Sequence, residues 1–77
     1  MTASRNPWRL SPGEQRCLDG LSAFGDFAIA GRELGLSPYT VKEMCYRARK
    51  KMKANSNVQA AVLLARWLWT QQAREAA

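Results

Sequence analysis

Residues 30–46 read AGRELGLSPYTVKEMCY, and this stretch decides the fold that the sequence predicts. Gly31 is a small residue inside a predicted helix, which lets a following helix pack closely against it. Gly35 permits the left-handed backbone that ends a helix. Ser37 is placed to cap the second helix, and Pro38 suits its first position, where no backbone donor is needed. We therefore predict a helix-turn-helix. The apolar residues predicted to pack between its two helices are Leu34, Leu36, Val41 and Met44.

One further helix is predicted on each side of this stretch, which makes the fold class all-α with four helices. The predicted helices span residues 12–23, 27–34, 38–53 and 57–73, and their predicted N-caps are Ser11, Asp26, Ser37 and Ser56. Residues 1–9 are predicted as an N-terminal tail, residues 10–73 as one domain and residues 74–77 as a C-terminal tail. Trp8 is expected to pack on the domain, because so large an apolar side chain is unfavourable when it is exposed to water in a tail.

The net charge of +6 is concentrated in the second half of the 77-residue chain. Residues 1–36 hold four basic and four acidic side chains, whereas residues 37–77 hold eight basic and two acidic. The third helix alone has six basic side chains and one acidic between Lys42 and Lys53. Such a helix repels itself unless a partner neutralises it, so the pattern indicates a polyanionic partner.

The charged and aromatic residues of the third helix fall opposite its core residues on a helical wheel. A recognition helix enters the major groove of DNA with its N-terminal half. The residues predicted to reach base edges are therefore Tyr39, Lys42, Glu43 and Tyr46. Those further along are predicted to neutralise phosphates, namely Arg47, Arg49, Lys50 and Lys53. The alternative is an ordinary solvated charged face.

The fourth helix is apolar nearly all round, and its wheel shows two stripes. The stripe assigned to the domain core is Val58, Ala61, Val62, Ala65, Leu68 and Trp69. The opposite stripe, predicted to form a homodimer interface, is Ala60, Leu63, Leu64 and Trp67. The alternative for this second stripe is that Trp8 and the N-terminal tail fold back over it.

Several function classes are not expected from this composition. Histidine is absent, and Cys17 and Cys45 fall on apolar helix faces, so they are interpreted as reduced core residues. Two soft ligands do not make a zinc site, and we expect neither a metal nor a cofactor. No nucleophile stands beside a base, so an enzyme is not expected. With no membrane-length apolar run and no signal peptide, the chain is expected in the cytoplasm.

From residue 10 to about residue 64 the chain resembles the LuxR-type (GerE-like) helix-turn-helix domain of bacterial transcription regulators. The family's Leu-Thr-x-Arg-Glu corresponds to LSPGE at residues 10–14, and its Leu-x-Ile-Ser-x-x-Thr-Val-Lys to LGLSPYTVK at residues 34–42. Its Lys-Leu corresponds to residues 51–52, and its Gln-Ala-Val to residues 59–61. No gap is needed in this correspondence.

The resemblance implies a four-helix DNA-binding domain that dimerises through its last helix. It also implies that Thr40 touches a phosphate and that Lys42, Glu43 and Tyr46 read the groove. Gly31 occupies a position where the family has alanine, so Gly31→Ala is expected to be tolerated, whereas Gly31→Leu should overpack the helix crossing. The sequence departs from the family pattern at Gly13, residues 28–31, Met44 and Asn57, which puts some scaffold and phosphate contacts in doubt.

The leading functional prediction is a sequence-specific regulator of transcription that binds double-stranded DNA as a homodimer. Family members usually carry a sensor domain for which this chain has no room, so control by abundance or by a partner is expected. The alternative is an interaction protein that pairs with a full-length transcription regulator. A promoter-reading sigma-factor domain, suggested by Arg47-Ala48-Arg49, is disfavoured by the apolar fourth helix.

Overall fold

The computed structural model describes residues 6–76, with residues 75 and 76 described as helical backbone only. This part of the chain contains four α-helices and no strand, which confirms the all-α prediction. The helices are α1 (Pro12–Phe24), α2 (Phe27–Leu34), α3 (Pro38–Met52) and α4 (Asn57–Ala76). The predicted tail at residues 74–77 is therefore helical as far as residue 76, because no glycine or proline interrupts α4.

Each helix begins at a side-chain cap that the sequence predicted. At α1, Ser11 Oγ accepts a hydrogen bond from the Glu14 backbone at 3.1 Å, and Glu14 Oε1 accepts one from the Ser11 backbone at 2.9 Å, which completes a capping box. The Asp26, Ser37 and Ser56 side chains accept hydrogen bonds from the first turns of α2, α3 and α4. These caps fix where α3 starts and therefore which residues lie in its first turn.

The turn between α2 and α3 is held by the two glycines. Gly35 has φ 75° and ψ 30°, a left-handed C-cap, and the Leu36 backbone donates to the Gly31 carbonyl at 2.7 Å. A Cβ built on Gly31 would lie 2.5 Å from the Leu36 carbonyl oxygen. The expectation that Gly31→Ala is tolerated is therefore wrong, because the turn backbone occupies the space that a methyl group needs.

The α1 helix packs against each of the other three helices, and α3 packs against α2 and α4. The buried core contains Leu18 and Cys17 of α1, with Val41 and Cys45 of α3. Both thiols are free, and burial raises the pKa of Cys17 and raises that of Cys45 to about 12. The prediction that the cysteines are core residues is confirmed.

The N-terminal segment is anchored from residue 6 onward. The buried Asn6 side chain accepts from the Leu10 backbone at 2.7 Å and donates to the Leu10 carbonyl at 3.3 Å and to Gln15 Oε1 at 3.1 Å. Trp8 consequently packs on Trp67 of α4. The predicted tail at residues 1–9 is thus part of the folded domain from residue 6, and residues 1–5 lie outside the described residues.

The α4 helix is rotated relative to the prediction. Ala60 and Leu64 are buried in the core, and Leu63 and Trp67 pack against it. The prediction of a dimer interface is contradicted for Ala60 and Leu64, which are not accessible to a second chain, whereas Leu63 and Trp67 are half-buried. Apolar periodicity is the same for both faces, and the contacts that distinguish them are with distant parts of the chain, namely α1 and Trp8. The alternative was that Trp8 and the N-terminal tail fold back over this stripe; Trp8 does contact it at Trp67, and the tail before residue 6 lies outside the described residues.

A salt bridge ties the start of α1 to the last turn of α3. Lys51 Nζ lies 2.7 Å from Glu14 Oε1 and also donates to the Arg9 carbonyl at 3.4 Å. Burial by itself raises the pKa of Glu14, but hydrogen bonds from Lys51 and Ser11 outweigh it and the pKa is lowered. In the described part of the chain no helix is both long and apolar enough to cross a membrane.

Candidate nucleic-acid interface

The outer face of α3 presents the residues predicted to read bases. Its inner face, through Val41, Cys45, Ala48 and Met52, is buried, so the opposite face points away from the domain. The predicted base-reading residues differ in exposure: Tyr39 is 70% exposed, Tyr46 is 48% exposed, Lys42 is exposed and Glu43 is half-buried. The structure therefore brings these four residues together along one helix face, beginning in its first turn.

The residues predicted to contact phosphates fall into two groups. Arg47, Lys50 and Lys53 are exposed. Thr40 is half-buried, and its hydroxyl lies 2.9 Å from the hydroxyl of the N-cap Ser37. Arg49 is half-buried at the edge of the core, and its Nη1 donates to the Ala54 carbonyl at 3.4 Å.

The charge of this face is not neutralised within residues 6–74, whose side chains are described. The salt bridge there is that of Lys51 with Glu14, on the side of α3 that meets α1. Lys42, Arg47, Lys50 and Lys53 have no carboxylate within 4 Å in that part of the chain. Their positive charges therefore face solvent together, as in a surface that binds a polyanion.

Tyr46 lies at the centre of the face, with two cations against its ring. Arg49 Cζ is 5.2 Å and Lys50 Nζ is 5.8 Å from the ring centroid. The spacing of three and four residues brings both side chains over the tyrosine from the following helical turn. Distances under about 6 Å favour attraction between a cation and an aromatic face.

Lys53 has an unusual backbone conformation for its residue type. It forms the C-cap of α3 with φ 55° and ψ 37°, in the left-handed region where glycine is most favourable. A lysine here costs about 1 kcal/mol of backbone energy relative to a right-handed conformation. The cap nevertheless places one more cation at the end of the basic face.

The second exposed surface is on α4, and the sequence reasoning assigned it to the core. Val58 and Trp69 are 74% and 72% exposed, and Val62 and Ala65 are also exposed. We call these four residues the outer stripe of α4. Their spacing of four, three and four residues is the apolar repeat of a coiled-coil seam, but the opposite face of α4 repeats in the same way, so the spacing could not tell which face is exposed.

An apolar groove continues the outer stripe toward α1 and α2. It has a volume of about 450 Å³ and is lined by Leu21, Phe27, Val58, Ala61 and Val62, with Ser22, Gly25 and Asn57 at its margins. Exposed apolar side chains next to a concave apolar surface are typical of sites where another chain packs.

No protein-family model, curated protein or solved structure matches this chain. The geometry and charge of its own residues therefore carry the functional inference.

Proposed function

We propose that this chain is a sequence-specific DNA-binding regulator of transcription, with a helix-turn-helix domain of the LuxR/GerE type. It acts in the cytoplasm as a homodimer, with α3 in the major groove of each half-site. The observation that carries the proposal is the unneutralised cationic face of α3, which begins directly after a three-residue turn.

The cationic face favours duplex DNA for an electrostatic reason. Lys42, Arg47, Lys50 and Lys53 share one helix and lack acidic partners within residues 6–74. Phosphates brought against them relieve their mutual repulsion and release counterions from the DNA. A helix has the width that the major groove admits, so the same helix can also place side chains on base edges.

Contacts are divided along α3 in this proposal. Tyr39, Lys42, Glu43 and Tyr46 reach bases from the N-terminal half of the helix. Thr40, Arg47, Lys50 and Lys53 hold the phosphates on either side, which fixes the register of the helix without reading sequence. Lysine donates to guanine acceptors, and glutamate accepts from the cytosine amino group.

The homodimer forms through the outer stripe of α4. Val58, Val62, Ala65 and Trp69 lie on one line of the helix, and two copies related by a two-fold axis can pair along it. The groove beside Val58 and Val62 adds apolar surface to this contact. Pairing two recognition helices in this way matches half-sites about one helical turn apart.

The outer stripe also favours a second candidate function, an interaction protein that pairs with a full-length transcription regulator. An apolar seam of this kind suits a related α4 helix from another chain as well as a second copy. The two candidates differ in whether the isolated chain prefers particular duplex sequences.

The experiment that tests the proposal is selection of duplexes from a random-sequence pool, followed by affinity measurements for four variants. Lys42→Ala and Tyr46→Ala should each lower the preference for the selected duplex by about 1–3 kcal/mol. Lys50→Ala and Arg47→Ala should instead weaken selected and random duplexes equally, and reduce the salt slope by about one for each protomer bound. Failure to enrich any sequence would contradict sequence-specific binding and favour the interaction protein.

The oligomeric state is tested on the same preparations by sedimentation. The parent should have twice the monomer mass at tens of micromolar, and Trp69→Glu should have the monomer mass because it places a charge in the seam. Thr70→Glu is the matched control, because Thr70 is exposed on α4 but lies outside the outer stripe. A monomeric parent would contradict the homodimer.

A further inference from the structure

Arg49 differs from the exposed cations of α3 because its guanidinium contacts both a backbone carbonyl and an aromatic ring. Nη1 donates to the Ala54 carbonyl at 3.4 Å, and Cζ lies 5.2 Å from the centroid of the Tyr46 ring. Ala54 is a buried residue near the start of the α3–α4 connection, so its carbonyl is held in place. Arg49 thus joins a rigid point of the backbone to an aromatic side chain on the DNA-facing surface.

The orientation of the Tyr46 ring depends on its contact with Arg49, because the other neighbours of the ring do not fix it. Tyr46 is 48% exposed and therefore lacks the packing that fixes a core aromatic side chain. Lys50 also approaches the ring, at 5.8 Å, but its ammonium is at the end of an exposed and flexible stem. The planar guanidinium of Arg49 is the preorganised partner, because arginine stacks on aromatic faces and donates in a fixed fork.

We propose that Arg49 is a positioning residue for Tyr46 and does not contact phosphate. It holds the tyrosine ring in one orientation, so the base preference contributed by Tyr46 depends on Arg49. The proposal rests on the proposed function in one respect, which is that Tyr46 meets DNA. It replaces the phosphate role that the sequence pattern predicts for Arg49.

The two roles for Arg49 have different measurable consequences. A phosphate contact releases a counterion, so its loss reduces the salt slope by about one for each protomer bound and weakens all duplexes alike. A positioning contact leaves the slope unchanged, and its loss allows Tyr46 to sample other rotamers, which relaxes the preference between sequences. Arg49→Lys keeps the charge but loses the fork that reaches Ala54 and Tyr46 together.

The experiment compares the full chain with Arg49→Gln, Arg49→Lys and the matched control Arg47→Gln on the selected duplex and on random duplex, over a range of salt concentrations. Arg49→Gln and Arg49→Lys should lower the ratio of the two affinities by about ten-fold, the scale of one base contact, with the parent's salt slope. Arg47→Gln should instead leave the ratio of the two affinities unchanged and reduce the salt slope. The ratio is insensitive to a partly unfolded preparation, because unfolding weakens both affinities equally.

A double variant completes the test. With Tyr46→Ala already present, Arg49→Gln should cause no further loss of preference, because the side chain that it positions is gone. A slope reduced by about one for each protomer with an unchanged ratio, or additive losses in the double variant, would overturn the positioning role and leave the proposed function standing. A parent that binds no duplex would overturn both.

Discussion

The indole of Trp8 packs edge-on against the indole of Trp67, with ring centroids 6.5 Å apart and planes inclined by 70°. Asn6 holds the segment before Trp8 through its hydrogen bonds to Leu10 and Gln15. This contact assigns the two apolar faces of α4. The face that carries Trp67 is internal, and the face that carries Trp69 is left to solvent or to a partner.

The first prediction concerns the stability contributed by these two faces. Trp67→Ala should lower the free energy of unfolding by about 3 kcal/mol, because it removes a large side chain packed against the core and the contact of Trp8. Trp69→Ala should change it by no more than about 0.5 kcal/mol when measured at a concentration where the protein is monomeric. Urea denaturation followed by circular dichroism measures both, and equal losses would contradict the assignment of the faces.

The second prediction concerns the helix crossing at Gly31. Gly31→Ala should destabilise the domain by about 1–3 kcal/mol, because its Cβ would meet the Leu36 carbonyl and overpacking outweighs the gain in helix propensity. Gly13→Ala is the matched control, since a Cβ there would meet Met44 at an ordinary 3.6 Å. The control should keep or raise the melting temperature. A melting temperature of Gly31→Ala at or above that of the parent would contradict this prediction, because it would show that the turn backbone can move to make room for the methyl group.

The third prediction concerns the pH dependence of stability. The pKa of Glu14 is lowered below 4.5 in the folded protein, so its contribution is present above that pH and is lost as the pH falls through the folded value. Glu14→Gln should cost about 1–3 kcal/mol at pH 7, the scale of hydrogen bonds to a charged group. The difference from the parent should shrink toward pH 3, and Lys51→Met should reproduce part of it. Parallel stability curves for parent and Glu14→Gln between pH 7 and pH 3 would exclude this role.

The fourth prediction separates stability from binding at Lys53. Lys53→Gly should raise the free energy of unfolding by up to about 1 kcal/mol, because glycine adopts the left-handed C-cap without a Cβ penalty. The same change should weaken binding to every duplex, because it removes one exposed cation. Lys53→Asn tolerates this backbone as well and serves as the control for the loss of charge. If Lys53→Gly is more stable than the parent and binds duplex as tightly, Lys53 does not contribute to the interface.

The local parts of the fold were predictable from sequence because their signals are local. Ser11, Asp26 and Ser37 cap the helices that they were predicted to cap, and Gly35 ends α2. These assignments depend on a hydrogen bond or a backbone angle within a few residues. The buried and exposed faces of α3 were also predictable, since one side of the helix is apolar and the other is charged.

The rotation of α4 was not predictable from periodicity, because both of its faces are apolar. The faces differ in their contacts with distant residues, such as the contact between residues 8 and 67. The same limit explains the wrong expectation for Gly31→Ala. Helix propensity is a local property, whereas the space for a Cβ at residue 31 is taken by the backbone of the following turn. In the candidate site, the exposure of the α3 residues followed from the wheel, but the anchoring of Arg49 on Ala54 required the structure.

The measurement that tests the central claim most directly is the salt dependence of binding to the selected duplex, by fluorescence anisotropy. With Arg47, Lys50 and Lys53 of two protomers on phosphates, the plot of log affinity against log salt concentration should have a slope of about −5. Replacing these three residues by glutamine should remove most of that slope while the circular dichroism spectrum stays unchanged. Absence of duplex binding by the parent at low salt, or a slope that survives the triple replacement, would contradict the claim that the basic face of α3 binds DNA.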